Sequence, residues 1–196
     1  QPHLQLTRDG NAIVAATNLN RDSRVIIAGH IDTVPVAENL PAQLHHFERE
    51  QVIFGRGSVD MKGGIAVMLK LACELNEPSY DITWIFYDNE EVASELNGLG
   101  RLSDNHPELL QGEFAVLCEP TSALVEGGCN GTIRVELRTH GKKAHSARPW
   151  MGENAIHKLS KALQTLSDYQ PATVAVDGLD YRESLNAVLV SAGIAT

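Results

Sequence analysis

Arg24-Val25-Ile26-Ile27-Ala28-Gly29-His30-Ile31-Asp32 is a strand-sized apolar run that ends on residues able to hold a metal or move a proton. Two runs of the same kind follow, Ile82 to Tyr87 and Phe114 to Cys118, and the segments between them are long enough to hold helices. This alternation predicts an α/β fold on a mainly parallel sheet flanked by helices. Gly63 to Leu75 supplies one connecting helix, with Ala66, Leu69, Leu71 and Ala72 near helical spacing behind a Gly-Gly entry. Upstream, Leu4 to Thr7 and Ala12 to Ala16 flank Asp9-Gly10, a dipeptide suited to a tight turn, so an antiparallel hairpin is expected to open the chain.

Each run stops at chemistry: His30-Ile31-Asp32 after the first, Asn89-Glu90-Glu91 after the second, Glu119-Pro120-Thr121 after the third. Ligands of open α/β sheets bind along the carboxyl ends of the strands, so these residues converge on one edge. Asp60, in the glycine-rich stretch Gly55 to Gly64 that enters the helix, joins the same rim. That stretch lacks the phosphate-loop pattern G-x-x-x-x-G-K-[ST]. Taken singly, a strand-end histidine is ordinarily a hydrogen-bonded structural residue and a Glu-Glu pair a solvated helix start. Together, in order, at successive strand ends, they form an acidic rim that repels itself unless cations neutralise it, and zinc accepts this mixture of nitrogen and oxygen donors.

Past Gly131 the texture changes. Ile133, Val135 and Leu137 alternate with polar residues as in a strand with one wet face, Asn154 caps a helix carrying Ile156, Leu159, Leu163 and Leu166, and strands are expected at Thr173 to Val176 and Leu185 to Val190. Residues 1–130 thus read as a metal-binding domain and 131–196 as the start of a smaller α+β domain. Its β-α-β-β order stops short of a closed sandwich, so the chain is expected to be interrupted at Thr196 and, opening on Gln1, at its start. Of 196 residues, 16 are Lys or Arg and 25 Asp or Glu, a net charge of -9 without a basic run, which excludes a nucleic-acid partner. No apolar stretch approaches the roughly 20 residues that span a bilayer, so no membrane partner is expected. Cys73, Cys118 and Cys129, odd in number and set in apolar segments, are expected to be buried free thiols of a cytoplasmic protein.

The motifs His30 to Pro35, Gly55-Arg56-Gly57 through Asp60 to Gly64, Glu90-Glu91, Glu119-Pro120-Thr121 and Gly141 to Ser146 resemble those of the co-catalytic zinc peptidase family, which includes aminoacylases, deacetylases, desuccinylases and glutamate carboxypeptidases. The resemblance implies two Zn2+ ions, replaceable by Co2+. Asp60 would bridge them, with His30 and Glu119 on one and Glu91 on the other. It makes Glu90 the general base, Asp32 the acceptor that fixes the His30 ring, and His145 an oxyanion donor from the smaller domain. That domain would serve as lid and homodimer interface. A further histidine for the second ion belongs to a later segment in this family, and none follows His157, so the chain alone is expected to be inactive. His45-His46 are expected in a solvated loop, and His3, His106, His140 and His157 have no constellation.

The implied reaction is hydrolysis of the amide of an N-acyl amino acid. Within the family, the Asp60 segment and Arg182 to Val188 are most similar to members that desuccinylate N-succinyl-diaminopimelate in lysine biosynthesis. Acetylornithine deacetylation, aminoacylase or carboxypeptidase chemistry, and a non-catalytic binding module are the alternatives.

Overall fold

A computed structural model describes residues 3–193, so Gln1 and Thr196, the expected break points, lie outside the described residues. The chain divides into two compact units, Gln1–Leu124 and Val125–Thr196.

The first unit is an α/β layer built on five strands. β1 (Leu4–Asp9) and β2 (Ala12–Thr17) form the expected hairpin, pairing Leu4 with Thr17 and Asp9 with Ala12. Gly10 takes the positive dihedral (φ 61°) at the first of two loop positions, where glycine carries no steric penalty. β3 (Arg24–His30), β6 (Asp81–Tyr87) and β7 (Phe114–Leu117) coincide with the three apolar runs. The sheet order is β1-β2-β6-β3-β7, with β3 parallel to both of its neighbours and β2 antiparallel to β6. From β3 the chain therefore runs to β6 on one side and later to β7 on the other, which puts the reversal of strand order at the carboxyl end of β3.

Every residue of β6 is buried, because a layer covers each face of the sheet. On one face α1 (Gly63–Glu74) sets Ile65, Met68 and Ala72 against Ile82, Trp84, Phe86 and Ile27. On the other, α2 (Gly98–Asn105) and the helical turn Pro107–Leu110 set Leu99, Leu102, Leu109 and Leu110 against Val14, Ile26, Ile85 and Tyr87. Of the apolar residues near helical spacing, Ala72 faces inward with Ile65 and Met68, while Ala66, Leu69 and Leu71 are exposed. The helix is apolar nearly all round, so periodicity alone could not choose the face. β4 (Gln43–Phe47) and β5 (Glu50–Phe54) form a separate exposed hairpin, so His45 and His46 lie on a strand rather than in a loop.

In the second unit, α3 (Ala155–Ser167) begins where expected, with the Asn154 side chain accepting from the Ile156 and His157 amides at 2.9 and 3.1 Å. β8 (Thr173–Val176) also forms and pairs with β9 (Leu179–Arg182), whereas the strand expected at Leu185 to Val190 does not form. The alternating stretch around Ile133 to Leu137 is not a strand: these three residues are exposed and no described strand pairs with them. A ladder needs a partner, and alternation without one leaves the backbone to water. Cys73 and Cys129 are exposed and only Cys118 is partly covered, so the expectation of buried thiols fails, although all three are free. Among the described residues no helix is long and apolar enough to cross a membrane.

Candidate metal centre

The site begins where β3 ends. His30 is the last residue of that strand and is 1% exposed, held from behind by its own amide donating to Met61 Sδ (3.2 Å) and by the edge of Tyr87, whose ring centroid lies 6.3 Å away. Its ring is clamped at both nitrogens. Nδ1 lies 3.2 Å from the backbone oxygen of Asp32, and Nε2 lies 2.9 Å from Asp60 Oδ1. A carbonyl can only accept, so Nδ1 carries a proton and Nε2 is the nitrogen presented to the rim.

Four carboxylates lie around that ring. Asp60 comes from the kinked helical turn Ser58–Lys62, where Asp60 (φ −113°, ψ 102°) and Met61 leave helical geometry before α1 starts. Glu119 follows β7, with an oxygen 3.9 Å from His30 Nε2. Glu90 and Glu91 follow β6. Ligand atoms of His30, Asp60 and Glu119 all lie within 4.8 Å of one another, and so do those of His30, Glu90 and Glu91. His30 stands in both groups; Asp60 and Glu91, expected to share an ion, fall in different ones.

Asp32 does something the sequence reading did not anticipate. Its carboxylate stands 3.6 Å from His30 Nδ1, while its two oxygens accept the backbone amides of Glu90 and Glu91, each at 3.1 Å. The ring contact at hydrogen-bonding distance is with the Asp32 backbone oxygen. Asp32 thus ties the end of β3 to the Glu90-Glu91 turn. Met61, Lys62, which donates to the Ile31 carbonyl at 3.0 Å, and Tyr87 were also missed; the first two lie inside the quoted motif.

The electrostatics describe a rim with surplus negative charge. Burial pushes the Glu119 carboxyl up against the opposing pull of His30, and Asp60, Glu90 and Glu91 push it further. Glu91 is raised by burial first and then by Asp60 and Glu90. Burial pushes the Tyr87 phenol up to about 12, with Glu119 and Glu90 adding to it. Burial works against a charged His30 ring, but the bond to Asp60 and the charges of Glu119, Asp60 and Glu90 outweigh it and raise its pKa. A proton held between His30 and Asp60 occupies the place a cation would take, and one imidazole with several carboxylates is a donor set that suits zinc.

His145 belongs to the second unit, is exposed, and accepts the Ala147 amide at Nδ1 (3.1 Å), leaving its N–H on Nε2. His106 lies beside Asp9 and Glu108. His45 reaches only Gln43 and the edge of Phe54.

A protein of Mycobacterium tuberculosis, provisionally named succinyl-diaminopimelate desuccinylase DapE, is 51% identical over 191 residues, which are 97% of this chain and 53% of that protein. The succinyl-diaminopimelate desuccinylase of Corynebacterium glutamicum is 46% identical over 197 residues, covering 99% of this chain and 52% of its own length. The chain thus spans about half the length of these curated relatives. The metallo-carboxypeptidase Sso-CP2 of Sulfolobus solfataricus superposes over 58% of this chain and 28% of its own at 20% identity and a TM-score of 0.44. A family model covers residues 26–187, a span holding His30, both acidic turns and His145, and the chain belongs to peptidase family M20/M25/M40.

Proposed function

We propose that this chain carries the metal-binding part of a zinc-dependent amidohydrolase that splits N-succinyl-LL-2,6-diaminopimelate into succinate and LL-2,6-diaminopimelate. The observation that carries the reading is the convergence of Asp60, Glu119, Glu90 and Glu91 on the one buried imidazole of His30, at the point where strand order reverses. The substrate is taken from relatives 46–51% identical to the chain.

In this reading His30, Asp60, Glu91 and Glu119 would hold two zinc ions, which cobalt could replace. When bound, such ions lower the pKa of water and polarise an amide carbonyl. The chain's own residues do the rest. Glu90 is exposed at the rim, takes the proton of the attacking water and returns it to the departing amine, so that the C–N bond is replaced by a carboxylate and a free amino group. Asp32 keeps Glu90 and Glu91 in place through their amides. His145, with its free Nε2–H, donates to the developing oxyanion when the smaller domain closes as a lid. Cys73, Cys118 and Cys129 suit a reducing cytoplasm.

The test is a substrate panel on the full-length protein after chelation and after return of zinc or cobalt. Metal-dependent release of succinate in preference to acetate from the acetylated analogue is expected. Preference for the acetyl substrate would replace the desuccinylase reading with another deacylase of the family, and metal-independent turnover would remove the metal from the mechanism.

A further inference from the structure

Asp88 takes no part in either ligand group, yet it is 6% exposed and lies two residues before Glu90. Each of its hydrogen-bonding oxygens has a partner. Oδ1 accepts from Arg101 at 2.6 Å, Oδ2 from the Asn89 side chain at 3.1 Å, and its carbonyl from the Gly98 amide at 2.7 Å. Gly98 sits so close that a Cβ there would overlap the Asp88 carboxylate and carbonyl. The next residue, Asn89, turns the chain through the left-handed region (φ 62°), a conformation that asparagine tolerates better than most. Glu90 and Glu91 then donate their amides to Asp32.

The acidic turn is therefore fastened at two ends, to Asp32 on the β3 side and to Asp88 on the α2 side. Arg101 is the cation in the second fastening, and it also grips the β1-β2 hairpin, donating from Nε to Asp9 Oδ1 and from the same terminal nitrogen that bonds Asp88 to the Asp9 carbonyl, both at 3.0 Å. Without Arg101, Asp88 would be a buried anion with no cation, and such a group moves toward water. That movement shifts the backbone two residues ahead of Glu90.

We infer that Arg101 is a positioning residue for Glu90 and Glu91, acting through Asp88. This rests on the hydrolase reading above for the roles of the two glutamates. The test uses the full-length protein with Arg101→Met, which keeps the stem and removes the fork, and Arg101→Lys, which can pair with Asp88 but cannot fork. Asp9→Asn is the control, because it weakens the hairpin grip and leaves the Asp88 contact. In Arg101→Met, amide hydrogen exchange at Glu90 and Glu91 should rise about 10-fold or more, while the amides of β6 keep their protection. Its kcat for the succinyl substrate should fall about 10- to 100-fold with KM within about twofold, the signature of a misplaced reacting group. Arg101→Lys should recover part of both losses. Asp9→Asn should lower Tm while leaving kcat and the two amides unchanged.

Unchanged exchange at Glu90 and Glu91 in Arg101→Met, or an equal kcat loss in Asp9→Asn, would overturn the inference and reduce Arg101 to a staple of the fold. If Arg101→Met does not fold, Asp88→Asn must give the same exchange and kcat losses for the inference to stand. Should the wild type fail to hydrolyse the substrate, the hydrolase reading fails, and the exchange arm still decides whether Arg101 holds the turn.

Discussion

At the residue scale the candidate centre is one buried imidazole among acids that would each be more comfortable alone. Glu90 and Glu91 are neighbours in sequence, but the proposal gives them different work, and the difference is measurable. Glu90→Gln in the full-length protein should keep zinc binding near wild type and lower turnover by at least about 100-fold, the scale of a lost general base. Near-normal turnover would withdraw that role. Away from the site, Asp81 ties the start of β6 to the end of β2 and the segment after it. Only 4% exposed, it accepts the Thr17 hydroxyl (2.7 Å) and the amides of Leu19 (2.8 Å) and Arg21 (3.0 Å). Burial alone would raise its pKa from the ordinary 3.8, but those bonds and Arg24 hold it below. A carboxylate with a depressed folded-state pKa stabilises the fold above its unfolded value and loses that contribution as pH falls through the folded one. Asp81→Asn should therefore cost about 1–3 kcal/mol at neutral pH by setting an amide donor against backbone donors. The gap between mutant and wild type in chemical denaturation should narrow below pH 3.8; a pH-independent gap would mean the charge is irrelevant. The placement of His30, Asp60 and Glu119 at one rim was legible in sequence because His30 ends a strand, Asp60 stands in a glycine-rich helix entry and Glu119 follows a strand. The grip of Asp32 on two amides 58 and 59 residues away was not, since nothing local marks it.

At the element scale, α1 shows what composition can and cannot say. Its existence follows from an apolar run behind two glycines, but its inward face is chosen by contact with the sheet. Gly64, in its first turn, lies where a Cβ would overlap the carbonyl oxygen of Cys118, the residue before Glu119. Close approach of helix to strand end is thus what brings Glu119 to the rim. Gly64→Ala should cost about 1–3 kcal/mol through overpacking, and it should weaken metal binding as well by displacing Glu119. A mutant with full stability in calorimetry and unaltered zinc affinity would show that the strand end gives way freely. α2 escaped the sequence reading: it is eight residues long, starts at Gly98 behind the Asn97 cap, and carries only Leu99 and Leu102 inward. The β4-β5 hairpin escaped it because its strands mix polar and apolar residues and hold no long apolar run. The opposite error at Ile133 to Leu137 arises because alternation states a preference for a sheet and cannot supply the neighbouring strand.

At the scale of the whole molecule, the smaller domain carries a proposal of its own: that it joins two copies of the full-length protein. Leu163, Ile156, Val174 and Val176 are all exposed in the second unit, apolar surface that association would cover. Sedimentation of the full-length protein at micromolar concentration should give a dimer, and a monomer would end that proposal. What the amino-acid sequence determined alone is the order and kind of the central elements, β3, α1, β6 and β7, together with the acidic or imidazole residue at each end. Burial on both faces writes β6 as a nearly continuous apolar run, and residues able to hold a metal or move a proton follow where the strands stop. Only the tertiary structure decided that β3 lies between β6 and β7, that α1 turns Met68 inward, and that His30 is the residue on which four carboxylates close. Those are choices among partners far apart along the chain, settled by register, close approach and charge in the assembled layer, and no local stretch of residues carries them.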